Sequence, residues 1–267
     1  MASIIEVRDL TRKFGDFLAV DHISFDVAPG EIFAFLGPNG AGKSTTIKML
    51  TTMLHPTSGH MLLNGFDPTK DAKQVRRSFG IVFQDPSLDD ELTARENMEL
   101  HGVLYDVPRK TRRERTEELL KYVELWDRRD HIVKQFSGGM KRRLEIARGL
   151  LHHPKVFFLD EPTLGLDPQT RNHVWTYIQE LNRSEGITVF FTTHYMDEAE
   201  RIARRISIID YGKIIATGSP PELLSRTGKT SLEEAFLALT GKTIREEEGS
   251  SLDRMRMHGR ARMGGRR

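Results

Sequence analysis

Cysteine is absent from the 267-residue chain, which removes disulfides, thiolate metal sites and cysteine nucleophiles from its chemistry. Long apolar runs are absent too. The best are stretches such as VFFL at 156–159, far short of the roughly 20 apolar residues that a membrane-spanning helix needs. The opening MASIIEVRDL lacks an apolar core and does not resemble a secretory signal, so a cytosolic address is expected. Nor is there an excess of one charge: 40 Lys and Arg face 38 Asp and Glu, a net +2. The two signs are interspersed, so the body of the chain carries no basic footprint and no nucleic-acid partner is expected. With 38% hydrophobic and 29% charged residues, what remains is an ordinary globular chain of one large domain or a domain with an appendage.

Strand signals come first in IIEVRDL, HISFDV and EIFAFLG, separated by turn residues. From about Leu92 to His152 they fade, and RKTRRERTEELLKYVEL places Leu119, Leu120, Val123 and Leu125 near helical spacing. Strands and helices then alternate through KVFFLD, PQTRNHVWTYIQELNR, ITVFFTTH and YMDEAERIAR to the hairpin-like ISIIDYGKIIATG. The pattern predicts an α/β fold with a helical insertion and no internal repeat. Beyond Gly241 the chain turns polar, charged and glycine-rich, with arginines at 254, 256, 260, 262, 266 and 267, which predicts a disordered, solvated tail.

The strongest local chemistry is GPNGAGKST, comprising Gly37, Pro38, Asn39, Gly40, Ala41, Gly42, Lys43, Ser44 and Thr45. It fulfils G-x-x-x-x-G-K-[ST] between an apolar strand and a helix predicted to run to His55-Pro56. Its backbone amides and helix N-terminus suit phosphate oxygens, Lys43 reaches the terminal phosphates, and Ser44 can ligate magnesium. A phosphate loop alone leaves kinases, GTPases and many ATPases open. VFFLDEP adds a buried strand that delivers Asp160 to its C-terminal end as a magnesium partner, with Glu161 beside it to polarise a water against the γ-phosphate. Elsewhere, FSGGMKRRLEIARGLL sets Ser137, Gly138 and Gly139 at a helix start. Two interior glycines cost a helix about 1 kcal/mol each. Ser137 supplies a hydroxyl and an N-cap, while the glycines permit close approach to an anion.

These motifs, in this order, resemble the ATP-binding-cassette family over roughly residues 3–225. GPNGAGKST is similar to the Walker A loop, Gln84 in IVFQD to the Q-loop glutamine, and FSGGM to the signature. FFLDEP resembles Walker B, LGLD at 164–167 the D-loop, and His194 in FFTTH the switch histidine. Phe136 and Met140 depart from the leucine and glutamine common in the signature. The resemblance implies a P-loop NTPase core, with a mixed sheet, flanking helices, an N-terminal antiparallel β portion and an inserted helical subdomain at about 88–152. It implies ATP and Mg2+, with Ser44, Gln84 and Asp160 on the metal, Glu161, His194 and Gln84 in catalysis, and Phe14 stacked on adenine. In such proteins Ser137, Gly138 and Gly139 face the Walker A loop of a second nucleotide-binding domain across ATP. One Walker A and one signature per chain therefore imply a dimer, expected as a homodimer. Asp167 is expected both to cap the helix at Pro168 and to lie at the dimer seam.

The residues after Gln84 resemble the helical subdomain that docks on membrane subunits of drug, polyketide and lipid exporters. SLEEAFLALTG, with a capping box expected from Ser231 and Glu234, resembles the C-terminal helix of the daunorubicin-resistance branch. The expectation is an ATP-hydrolysing exporter subunit, peripheral on the cytoplasmic face of the cell membrane and bound to a multispanning permease. Its parts are a nucleotide-binding domain (1–225), an amphipathic extension (226–244) and a basic tail (245–267). A translation-associated ATPase would carry two cassettes in one chain, and a chromosome-maintenance ATPase a long coiled coil between Gln84 and Ser137. Neither is present.

Overall fold

The computed structural model describes residues 2–241; residues 242–244 of the expected extension and the tail at 245–267 lie outside them. The strands are β1 (Ile5–Phe14), β2 (Phe17–Val27), β3 (Ile32–Leu36), β4 (Ser58–Leu63), β5 (Phe79–Val82), β6 (Val156–Asp160), β7 (Thr188–Thr193), β8 (Arg205–Asp210) and β9 (Lys213–Gly218). The helices are α1 (Lys43–Leu50), α2 (Ala72–Ser78), α3 (Ala94–Leu104), α4 (Arg109–Tyr122), α5 (Gly138–Leu150), α6 (Pro168–Glu185), α7 (Met196–Ile202), α8 (Pro220–Thr227) and α9 (Leu232–Thr240).

Two sheets result. The N-terminal one is antiparallel in the order β2-β1-β4, and the central one runs β5-β6-β7-β3-β8-β9. Its first five strands are parallel, and β9 returns antiparallel to β8. Strands β3, β6 and β7 are buried along their whole length, which is why they read as continuous apolar runs rather than alternating ones. Their pleat serves two cores. Ala34, Leu36, Phe157, Leu159, Val189 and Phe191 join the helical side with Trp175, whose indole meets the Phe191 ring edge-on at 4.7 Å. Phe33, Phe35, Phe158 and Phe190 join the other side with Phe25. Burial of each such aromatic contributes about 2 kcal/mol.

Several boundaries differ from the sequence expectation. Helix α1 stops at Leu50 instead of running to His55, because Thr52 turns left-handed (φ 65) and Met53 and Leu54 both donate to the Lys48 carbonyl. Helix α4 stops at Tyr122, yet Val123 and Leu125 stay buried because Glu124 turns left-handed and the Leu125 N–H returns to the Leu120 carbonyl at 2.7 Å. Strand β4 had no counterpart in the expectation. At the last helix the expected capping box is split: the Ser231 hydroxyl accepts from Glu234 N at 3.3 Å, but the Glu234 carboxylate reaches back one residue further, to Thr230. A boundary at residue 225 falls inside α8. Leu223 of α8 and Leu232 and Phe236 of α9 are buried in the same core as the central sheet.

Candidate active site

Strand β3 delivers the phosphate loop between β7 and β8, at the carboxyl edge where open α/β sheets build sites. The loop is shaped by its own packing. A Cβ at Gly37 would lie 2.3 Å from the Ile209 carbonyl oxygen, and one at Gly42 (φ 112) would lie 2.6 Å from the Ala19 carbonyl oxygen. Gly40, also left-handed, looks into open space. Helix α1 follows Gly42, which offers no side-chain cap, and has no acidic residue in its first turn. Its first N–H groups and its positive end are thereby left to an anion.

Lys43 is buried and donates to the Gly37 carbonyl at 2.7 Å and the Pro38 carbonyl at 3.3 Å. Burial pushes its ammonium below the ordinary lysine range, opposed by Glu161 and Asp160. Its Nζ lies 3.8 Å from Glu161 Oε1, while Glu161 Oε2 is 2.9 Å from His194 Nδ1. Burial pushes the Glu161 carboxyl up, but the His194 hydrogen bond and the charges of Lys43 and His194 outweigh it and hold the group below its ordinary value. At neutral pH Glu161 is therefore a carboxylate. Its backbone is left-handed at φ 50, a conformation that costs a non-glycine residue about 1–3 kcal/mol and persists only when its surroundings impose it. Thr192 supplies part of that hold, accepting from Glu161 N through its carbonyl at 3.2 Å and its hydroxyl at 3.0 Å. The same hydroxyl donates to Asp160 Oδ1 at 2.6 Å.

Walker A, Asp160, Glu161 and His194 thus meet at one edge of the sheet. The other residues marked by the sequence are carried by separate elements. Gln84 is exposed, two residues beyond β5. Phe14 ends β1 opposite Phe17; it is half-buried rather than core, and the Arg12 guanidinium sits 4.4 Å from its ring centre. Ser137 caps α5, accepting from Met140 N at 3.2 Å, and Asp167 caps α6, accepting from Thr170 N at 3.0 Å. The adjacent glycines at the start of α5 part company. A Cβ at Gly139 would meet the Thr170 methyl at 2.9 Å, whereas Gly138 has nothing within 4 Å. Phe136 is buried in the main core and Met140 packs against it, so the departures from the usual signature residues are filled by apolar side chains that anchor the turn.

Three residues escaped the sequence reading. Thr192 is one. Buried Glu198 is another: it accepts from the Thr163 hydroxyl at 2.9 Å and the Thr193 hydroxyl at 3.3 Å, joining the turn after Glu161 to the residue before His194. The third is Arg142 of α5, buried beneath the Glu161 turn. The two threonines directly before His194 were a weak signal; a basic residue inside the run KRR was none.

Oxygen donors suited to a hard cation are present in the Ser44 hydroxyl, the Asp160 carboxylate and the Gln84 amide. The uncapped α1 and the buried Lys43 beside it have the chemistry that a polyphosphate anion requires.

The comparisons agree. A family model described as ABC transporter matches residues 20–164. The daunorubicin resistance ATP-binding protein of Streptomyces coeruleorubidus is 40% identical over 252 residues, covering 90% of this chain and 79% of that protein. The linearmycin resistance ATP-binding protein of Bacillus subtilis is 39% identical over 242 residues, covering 88% and 78%. A solved ATP-binding subunit of an ABC transporter superposes with a TM-score of 0.82 at 30% identity, over 89% of this chain and all of the other. A dimeric bacterial ABC transporter cassette gives 0.73 at 30% identity, over 80% and 98%. Sequence, fold and site converge: the chain belongs to the ABC transporter family and is one of its ATP-binding, ATP-hydrolysing subunits.

Proposed function

We propose that two copies of the chain hydrolyse ATP at their joint and so power a separate multispanning permease that exports a drug, antibiotic or lipid. They would work from the cytoplasmic face of the membrane. The observation that carries the chemistry is the Glu161 carboxylate, set between Lys43 and His194 at the open end of a buried strand. Ionised Glu161 takes a proton from water as the water oxygen adds to the γ-phosphorus. The bond from that phosphorus to the β-bridging oxygen breaks, and ADP and inorganic phosphate leave. His194 steadies Oε2. A neutral imidazole donating through Nδ1 offers Nε2 only as an acceptor, so the ring donates to carboxylate and phosphate together only when protonated.

Lys43 is placed to exchange its loop carbonyls for phosphate oxygens. Ser44, Asp160 and Gln84 would hold Mg2+, whose charge, when bound, offsets that of the phosphates. Phe14 stacks on adenine from one chain. Ser137, Gly138 and Gly139 of the other chain close the site, which the open space at Gly138 favours. Among the described residues no helix is long and apolar enough to cross a membrane, in keeping with a separate permease. Exposed Leu100, Val103 and Leu104 on α3 offer that partner an apolar face. Export of a drug-like or lipid-like cargo is supported by the resistance named in the relatives' own descriptions.

The test is Glu161→Gln. Equilibrium ATP binding is expected to stay within a few fold while hydrolysis falls roughly a hundredfold or more, leaving a stalled, ATP-loaded dimer. Hydrolysis near the parental rate would remove Glu161 from the role of base.

A further inference from the structure

A guanidinium carries five N–H donors in one rigid plane, and at Arg142 each of the five has an acceptor. Nε donates to the Pro162 carbonyl at 2.6 Å. Nη1 donates to the Phe83 carbonyl at 2.5 Å and to Glu145 Oε2 at 3.1 Å, and Nη2 to the carbonyls of Glu161 at 2.9 Å and Asp160 at 3.3 Å. Three of these acceptors are consecutive carbonyls, 160 to 162, and the middle one belongs to the residue at φ 50. Thr192 grips that residue by its N–H, and Arg142 grips it by its carbonyl. Helix α5 also holds the far flank of the Gln84 loop: Glu145 accepts from Ser87 N at 2.7 Å, and Arg148 donates to the Ser87 carbonyl at 2.7 Å.

We propose that Arg142 is a positioning residue for hydrolysis: its guanidinium holds the left-handed turn that aims Glu161 and locks that turn to the Gln84 loop and helix α5. This rests on the reading of Glu161 as the base. A buried arginine that only completed the core would, when replaced, weaken folding, nucleotide binding and turnover together. Lysine separates the two roles, since it keeps a charge facing Glu145 but cannot span carbonyls from Phe83 to Pro162 with one ammonium.

The experiment uses the full chain with Mg·ATP and compares Arg142→Lys, Glu161→Gln and the double variant, each by nucleotide affinity and by hydrolysis. Arg142→Lys is expected to lose roughly tenfold or more in kcat while KM and affinity stay within about threefold. In single turnovers the double variant is expected to run within about twofold of Glu161→Gln alone, because a misaimed carboxylate ceases to matter once it is gone. An unchanged kcat, a loss that tracks affinity, or losses that multiply in the double variant would overturn the proposal. If the lysine variant does not fold, Arg142→Gln, which keeps two amide donors, is read through the same cycle. Full activity in Glu161→Gln alone would instead strike the assignment of the base.

Discussion

At Gly37 a single added methyl would meet a carbonyl oxygen of β8, and at Gly138 it would meet nothing. The sequence reading treated both as room made for phosphate, since motif spacing does not separate a glycine required by its own chain from one kept open toward another molecule. Lys43, Asp160, Glu161 and His194 were legible because strand ends and the phosphate-loop spacing place them without reference to distant segments. Arg142 was not. The run KRR at 141–143 reads as a solvated face, and only the helical register puts Arg142 on the inward side with Ile146 and Gly149. Phe14 stands between these cases: its ring is partly accessible and has Arg12 near it. Because stacking holds ground state and transition state alike, Phe14→Ala is expected to raise KM for ATP about fivefold and leave kcat within about twofold. Steady-state kinetics checks this, and an unchanged KM would assign the ring to Arg12 alone.

At the scale of elements, the long buried strands and α6 were legible from apolar runs and from Asp167-Pro168, while helix ends were not. Where α1 and α4 stop depends on Thr52 and Glu124 turning left-handed, a choice made by packing rather than by propensity. The start of α3 carried an overlooked signal in Thr93 and Glu96, which form a full reciprocal cap. The C-terminal part of α3 packs His101 against Tyr105 and His152, with the His101 and His152 ring centres 5.6 Å apart. Burial, with Arg148 and His152 adding repulsion, pushes His101 down to about 3; burial also lowers His152 to about 4, against its hydrogen bond to the Phe79 carbonyl.

Both rings are therefore neutral when folded and take protons when unfolded, below about 6.5. Their contribution is complete above that pH and drains away as pH falls toward 4, by on the order of 1 kcal/mol each at pH 5.5. Exposed His22, raised by Asp21, works in the opposite sense. The depressed carboxylates such as Glu161 act only below about 4.5. The melting temperature is expected to drop between pH 7.5 and 5.5, and His101→Phe, which keeps a stacked ring, to remove about half of that drop. An undiminished drop in the variant would refute the assignment.

For the whole molecule, the proposal that two complete sites need two chains is tested by a mixed dimer. A Lys43→Ala chain lacks its own phosphate grip and a Ser137→Arg chain obstructs its neighbour's site, yet together they leave one intact pairing. With Glu161→Gln in both to slow escape, mixed dimers are expected to occlude about one nucleotide and either pure dimer none. Verified mixed dimers that occlude no more than the pure ones would place the entire site within one chain. The class of fold was readable from the alternation of elements, but not the partition of its interior. That partition, with β3, β6 and β7 giving alternate side chains to cores on opposite faces, has a consequence for how the protein comes apart. Neither core can dissolve while the other survives, since each would have to surrender a wall that its neighbour still needs. The fold is therefore expected to melt in one cooperative step rather than shedding a lobe, with the amides of those three strands the last to trade their hydrogens for solvent deuterium, an outcome that hydrogen exchange checks.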